Sequence, residues 1–126
     1  ARIGIAVSDA LGLQAKRLGF IPRESDKQAA TVVHALAQQE QVVGIVFGLP
    51  LHAHGEAGDN VNWVRAFQTA VQQAGCSLPQ FEVDERYTSS EAEDNLREAG
   101  AWPAKPGDLD AEAAAIILRR FLAGEE

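Results

Sequence analysis

The sequence predicts an α/β fold, a mixed central sheet flanked by helices, and three patterns predict it. Gln41 to Phe47 is a continuous β-branched and apolar run, the pattern of a strand buried on both faces. Other stretches, from Ser25 and from Asn60 to Ala74, space their apolar residues at helical intervals instead. Further short apolar runs, Ile3 to Val7 and Leu78 to Val83, interleave with these helices rather than standing apart from them. The order reads β-β-α-β-α-β-α-α, with at least two parallel strands.

Taken in turn, Ile3 to Val7 alternates with small residues and ends at Ser8-Asp9, before the turn-like Leu11-Gly12. Arg17 to Ile21 is a second strand that closes a hairpin. Ser25-x-x-Gln28 is a capping box, opening a helix with Ala29, Val33, Leu36 and Ala37 on one face. The buried strand from Gln41 stops at Gly48-Leu49-Pro50, and a loop with Gly55 and Gly58 follows. The next helix carries Val61, Val64, Phe67, Val71 and Ala74 as its stripe, and Gly75 supplies the stop. After the Leu78 to Val83 strand, Thr88 and Glu91 match a second capping box, with Ala92, Leu96 and Ala99 facing inward. The last helix runs from about Leu109 to Leu122. No linker or repeat divides the chain, so residues 1–126 read as one domain.

The whole-chain properties narrow the function classes. Hydrophobic residues make up 46% and charged residues 23%, as in ordinary globular proteins. No apolar run approaches the ~20 residues of a membrane span, and the N-terminus lacks a signal-peptide pattern. The lone Cys76 excludes an internal disulfide framework and suits a reducing cytoplasm. A net charge of −7 argues against a protein that coats nucleic acid by charge alone. It leaves a nuclease open, because bound divalent metal offsets acidic site residues.

Ligands of parallel sheets sit beyond the carboxyl ends of the strands. Gly48-Leu49-Pro50 and Asp84-Glu85-Arg86 lie at two such ends. By strand alternation Phe81, Val83 and Glu85 share one face, which makes Glu85 a candidate metal ligand at the rim of the core. The rival reading pairs it with Arg86 or assigns it to the helix at Thr88. Positions 110, 113, 114, 117, 118 and 121 form one helical face, so Asp110 leads an apolar stripe and points inward. Simple capping competes with that reading, and Asp108 competes for the cap. Two carboxylates from different elements suit a hard cation, and phosphodiester hydrolysis uses such a site. Asp9 fits a turn better than a ligand. His52-Ala53-His54 lacks the partners that zinc spacing demands. Gly48-Leu49-Pro50 lacks the lysine of a phosphate loop. Arg2, Lys16 and Arg86 are placed to flank a phosphate path.

Four segments together resemble the YqgF/RuvX family of Holliday-junction-resolvase-like proteins. They are Arg2 to Asp9, Gly44 to Leu51, Asp84 to Ala92, and Leu109-Asp110-Ala111 through Ile117-Leu118. The resemblance implies a ribonuclease H-like fold and a metal-dependent nuclease. It implies Glu85 and Asp110 as catalytic ligands of Mg²⁺ or Mn²⁺, with Arg86, Thr88 and Ser89 lining the pocket. It further implies a preceding strand ending in Asp-x-Gly, whose Asp is the family's first catalytic carboxylate; the sequence begins after that point, and Asp9 does not match it. The loop after Leu51 departs from the family pattern at His52 and His54. The implied substrate is structured RNA, in 5′-end processing of pre-16S ribosomal RNA, or branched DNA at four-way junctions. The acidic chain favours the RNA. A non-catalytic nucleic-acid-binding domain of the same fold is the rival from another class. The protein is expected to be a monomer or homodimer, and symmetric junction cutting would need two sites.

Overall fold

The computed structural model describes residues 2–49 and 57–124, and for residues 57–60 it describes the backbone alone. The order is β1 (Arg2–Ser8), β2 (Ala15–Pro22), α1 (Asp26–Gln39), β3 (Ile45–Leu49), α2 (Ala57–Gln73), β4 (Gln80–Asp84), α3 (Thr88–Glu98) and α4 (Asp108–Leu122). This is the α/β order read from the sequence. β1 and β2 pair antiparallel, and β3 and β4 pair parallel, so both strand directions are present. The chain divides into two compact units, Ala1–Pro22 with Tyr87–Glu126, and Arg23–Arg86.

In the first unit, register decides which side chains meet the helices. Gly4, Ala6 and Ser8 stand opposite Phe20, Arg17 and Ala15. Ile3, Ile5 and Val7 point to the other face. The small residues lie under α4, which packs on β1, β2 and α3. A Cβ on Gly4 would overlap the Asp110 carbonyl and sit 2.8 Å from the Ala111 nitrogen, so only glycine allows this approach. Between the Ile5 and Ala6 pairs the register shifts, and Leu18 falls out of the pairing as a bulge. Beyond it, Arg17 rather than Leu18 faces α4. The hairpin turn is closed by Asp9, whose Oδ1 accepts from the Leu13 N–H at 2.7 Å and the Gln14 N–H at 3.3 Å. Asp9 is therefore a turn residue, as its context suggested.

In α4 the buried residues are Ala111, Glu112, Ala115 and Ile116. The expected stripe from Asp110 through Phe121 is half-buried along its length. The phase of an amphipathic helix is normally set by its charged positions. Here the apolar run 113–118 has no polar side, and the charged Glu112 itself lies inward. α3 shows a second departure: Tyr87, at φ 63°, is the N-cap and makes no side-chain cap bond, so the Thr88–Glu91 capping box does not form. Ala92 and Leu96 are buried as expected, but Ala99 is an exposed C-cap.

In the second unit, Ser25 caps α1 as predicted, its Oγ accepting from the Gln28 N–H at 3.1 Å. The following strand begins later than Gln41 because the end of α1 claims those residues. Gln41, at φ 55°, donates its N–H to the Gln38 carbonyl, and Val42 donates to the Ala37 carbonyl, both at 3.2 Å. That pair of bonds is a Schellman motif built on glutamine instead of glycine. It leaves Val43 86% exposed before β3 starts at Ile45. α2 starts ahead of the expected Asn60 and includes Gly58. Its stripe is correct: Val64, Phe67 and Val71 are buried. Phe67 stacks on Trp63 at 5.7 Å and meets Phe47 edge-on at 6.3 Å. Trp63 ties α2 to α1 by donating Nε1–H to Asp26 at 2.9 Å, with the Arg23 guanidinium 3.7 Å from its ring centroid. Cys76 is buried, consistent with an inert thiol. The readings at Pro50, Leu51, His52, His54 and Gly55 lie outside the described residues.

Candidate functional site

At the carboxyl end of β4, the chain makes one further ladder bond after the strand closes. The Glu85 N–H donates to the Leu49 carbonyl of β3 at 3.0 Å. Glu85 is thereby held at the ends of both parallel strands, the edge where ligands of such sheets bind. Alternation sorts the neighbouring carboxylates. Glu82 faces outward, 3.9 Å from Arg65, while Val83 is 2% exposed on the opposite face. Phe81 shares that side but is 41% exposed, so the apolar face does not extend across the whole strand. Asp84 is occupied by its own turn: its Oδ1 accepts from the Arg86 N–H at 2.9 Å, and its Oδ2 lies 3.9 Å from the Arg86 guanidinium. Glu85 continues past Val83 and is half-buried. Its carboxyl is pushed above the usual carboxylate range, chiefly by burial and secondly by the charge of Asp84. A carboxylate held in that state gains from a cation.

Asp110 sits in the first turn of α4, with its side chain 38% exposed and 3.8 Å from the Arg2 guanidinium. The helix is not capped by it. The N-cap is Gly107 in the left-handed region, with no side-chain cap bond, and Asp108 accepts from the Lys105 N–H at 3.2 Å. The capping explanation of Asp110 therefore gives way to an ion pair with another candidate residue. Arg2 is steered toward it from the α4-facing side of β1, its guanidinium 5.8 Å from the Phe20 ring centroid. Lys16, paired with Val7, is exposed on the opposite face of the hairpin and is not brought to Arg2. Thr88 is buried at the start of α3, whereas Ser89 is exposed beside it. Arg86 follows Glu85 and is exposed at the turn.

One residue escaped the sequence reading. Glu112, 7% exposed, accepts from Asn95 Nδ2 at 3.0 Å and from Arg119 at 3.4 Å, with the Arg17 guanidinium 3.5 Å away. Its only sequence signal was a lone Glu between Ala111 and the apolar run that follows. Among the described residues, no three His, Cys, Asp or Glu side chains form a metal cluster.

A profile of the RuvX family, described as Holliday junction resolvase, matches residues 1–124. The chain belongs to the RuvX family. Three proteins called "Putative pre-16S rRNA nuclease" are similar to it along nearly all of its length. The one from Synechococcus sp. (strain JA-2-3B'a(2-13)) is 41% identical, over 96% of this chain and 71% of that protein. The one from Salinibacter ruber is 39% identical, over 96% of this chain and 85% of its own. The one from Maridesulfovibrio salexigens is 37% identical, over 97% and 90% respectively. The RuvX match spans all four segments on which the sequence resemblance rested.

Proposed function

We propose that this chain is a metal-dependent nuclease that hydrolyses phosphodiester bonds in 5′-end processing of pre-16S ribosomal RNA. The observation that carries the reading is Glu85: a half-buried carboxyl, raised in pKa, at the ends of two parallel strands in a RuvX-family chain. Its relatives' names supply the substrate.

Mg²⁺ or Mn²⁺ is the proposed cofactor, held by Glu85 and Asp110. The donors fit a hard cation, since both are carboxylate oxygens and Glu85 is in an environment that disfavours its bare charge. When bound, the cation activates water for attack and offsets charge on the leaving oxygen. Burial and, secondly, the nearby Asp84 charge disfavour the ionised form of Glu85, and a bound cation would offset both. Arg2, already 3.8 Å from Asp110, can turn to a phosphate oxygen and keep it beside the carboxylate. Arg86 and Ser89 offer further donors, and Thr88 is buried at the start of α3. A cytoplasmic location suits that substrate, and among the described residues no helix is long and apolar enough to cross a membrane.

The family's description favours a second reading, resolution of four-way DNA junctions. Cleavage assays with a structured RNA carrying the precursor 5′ end and with a four-way DNA junction, in Mn²⁺ and in EDTA, separate the two. Glu85→Gln and Asp110→Asn are each expected to lower Mn²⁺-dependent cleavage by roughly 100-fold or more. Full activity in both variants would overturn the site. Binding of RNA without cleavage, unaltered by either substitution, would instead identify a non-catalytic domain.

A further inference from the structure

We infer that Glu112 is a positioning residue: through Arg17, Asn95 and Arg119 it holds the first turns of α4 in place and so places Asp110. The inference rests on the nuclease reading of Asp110. It begins from the bulge at Leu18, which turns Arg17 instead of a leucine toward α4. A leucine there would have offered α4 an apolar side chain with no charge to pair. The helix instead presents a buried glutamate, and three elements converge on it: β2 through Arg17, α3 through Asn95, and α4 itself through Arg119.

A buried ion pair is a weak source of stability, because losing water offsets much of its attraction. What such a pair does provide is direction, since charged hydrogen bonds have one good geometry where methyl groups have many. Direction matters at this point of the fold. α4 begins without a side-chain cap, from a left-handed Gly107, and its first turn rests directly on the Gly4 backbone. Glu112 lies two residues beyond Asp110, within the same turn, so a rotation or slip of α4 that broke the Glu112 contacts would move Asp110 with it. Groups that orient a metal-ligating carboxylate from behind act in this way in metal sites.

The test replaces the charged contact by an apolar one of similar bulk, in the double variant Glu112→Leu with Arg17→Leu. Its thermal midpoint is expected to match or exceed that of the native protein. Its kcat for Mn²⁺-dependent RNA cleavage is expected to fall roughly 10–100-fold, with KM little changed. Amide exchange over residues 108–112 in the metal-free protein is expected to speed up while exchange in α3 does not. The single variant Glu112→Gln, which keeps an oxygen for Asn95, is expected to recover part of the kcat. A double variant with native kcat, or with native protection at residues 108–112, overturns the proposal. Asp110→Asn run alongside distinguishes a failure of the underlying reading: full activity there shows that Asp110 is not a catalytic ligand, whatever the exchange data show.

Discussion

At the scale of single residues, Glu85 and Asp110 differ in what they contribute to stability, and the difference is measurable. The folded protein holds the Glu85 proton more tightly than the unfolded chain does, because burial and Asp84 oppose the charge. Stability from this group is therefore greatest below the ordinary carboxylate range and is lost as pH rises through the raised folded value. Glu85→Gln removes that loss. In EDTA the variant should melt higher than the native protein near neutral pH, with the gap closing toward acid. Adding Mn²⁺ should raise the native midpoint and leave the variant unmoved. A variant that melts lower at neutral pH, or that gains equally from Mn²⁺, would contradict this account. Asp110 has a partner in Arg2, but at 3.8 Å with both side chains well exposed the pair is worth at most about 1 kcal/mol. Asp110→Asn should change the unfolding free energy by less than that in urea titrations while cleavage collapses. Gly4 is the opposite case. Gly4→Ala forces a methyl group into the Asp110 backbone and should destabilise the protein by about 2–3 kcal/mol, lowering the urea midpoint and cleavage together.

Among the elements, the helix ends show where sequence patterns are decisive and where they mislead. Ser25-x-x-Gln28 caps α1 as written, since a serine followed by a free N–H three residues on has one good arrangement. The Thr88-x-x-Glu91 pattern is just as good on paper, yet Tyr87 takes the cap position in a left-handed turn and Thr88 is drawn inside the helix and buried. The left-handed turn at Tyr87 decides the cap, and the local spacing of Thr88 and Glu91 carries no record of it. The late start of β3 has a similar cause, with Gln41 and Val42 spent on the Schellman closure of α1. A non-glycine residue at φ 55° is strained, which gives a direct check on the closure. Gln41→Gly should stabilise the protein by about 0.5–1 kcal/mol, the strain relieved exceeding the entropy added to the unfolded chain. A loss of stability in urea or thermal unfolding would mean that the Gln41 side chain is contributing more than its backbone costs.

For the whole molecule, the α/β order and the place of Glu85 past the end of its strand were legible because each depends on a short-range rule: periodicity for the helices, alternation for Glu85. What escaped depended on long-range partners. Glu112 carried no site signal because its partners Arg17, Asn95 and Arg119 come from three places in the sequence. The burial of α4 likewise falls on Ala111, Glu112, Ala115 and Ile116 and not on the expected stripe from Asp110. The charge balance remains the least expected property of a chain proposed to cleave RNA. With a net charge of −7, its surface as a whole repels a polyanion, so binding must come from few local cations. The candidates are Arg2 and Arg86, since Lys16 lies on the opposite face of its hairpin, and Arg2 is shared with Asp110. Two phosphate contacts correspond to a slope of log affinity against log salt of about −1.4 on single strands and about −1.8 on duplex. Fluorescence anisotropy of labelled RNA with the Asp110→Asn variant, titrated across potassium chloride concentrations in Ca²⁺, should return a slope in that shallow range. Each of Arg2→Ala and Arg86→Ala should make it shallower by up to about one further unit, and Lys16→Ala should leave it unchanged. A much steeper slope would require a broader cationic surface than these residues provide, and would move the search for the binding face away from them.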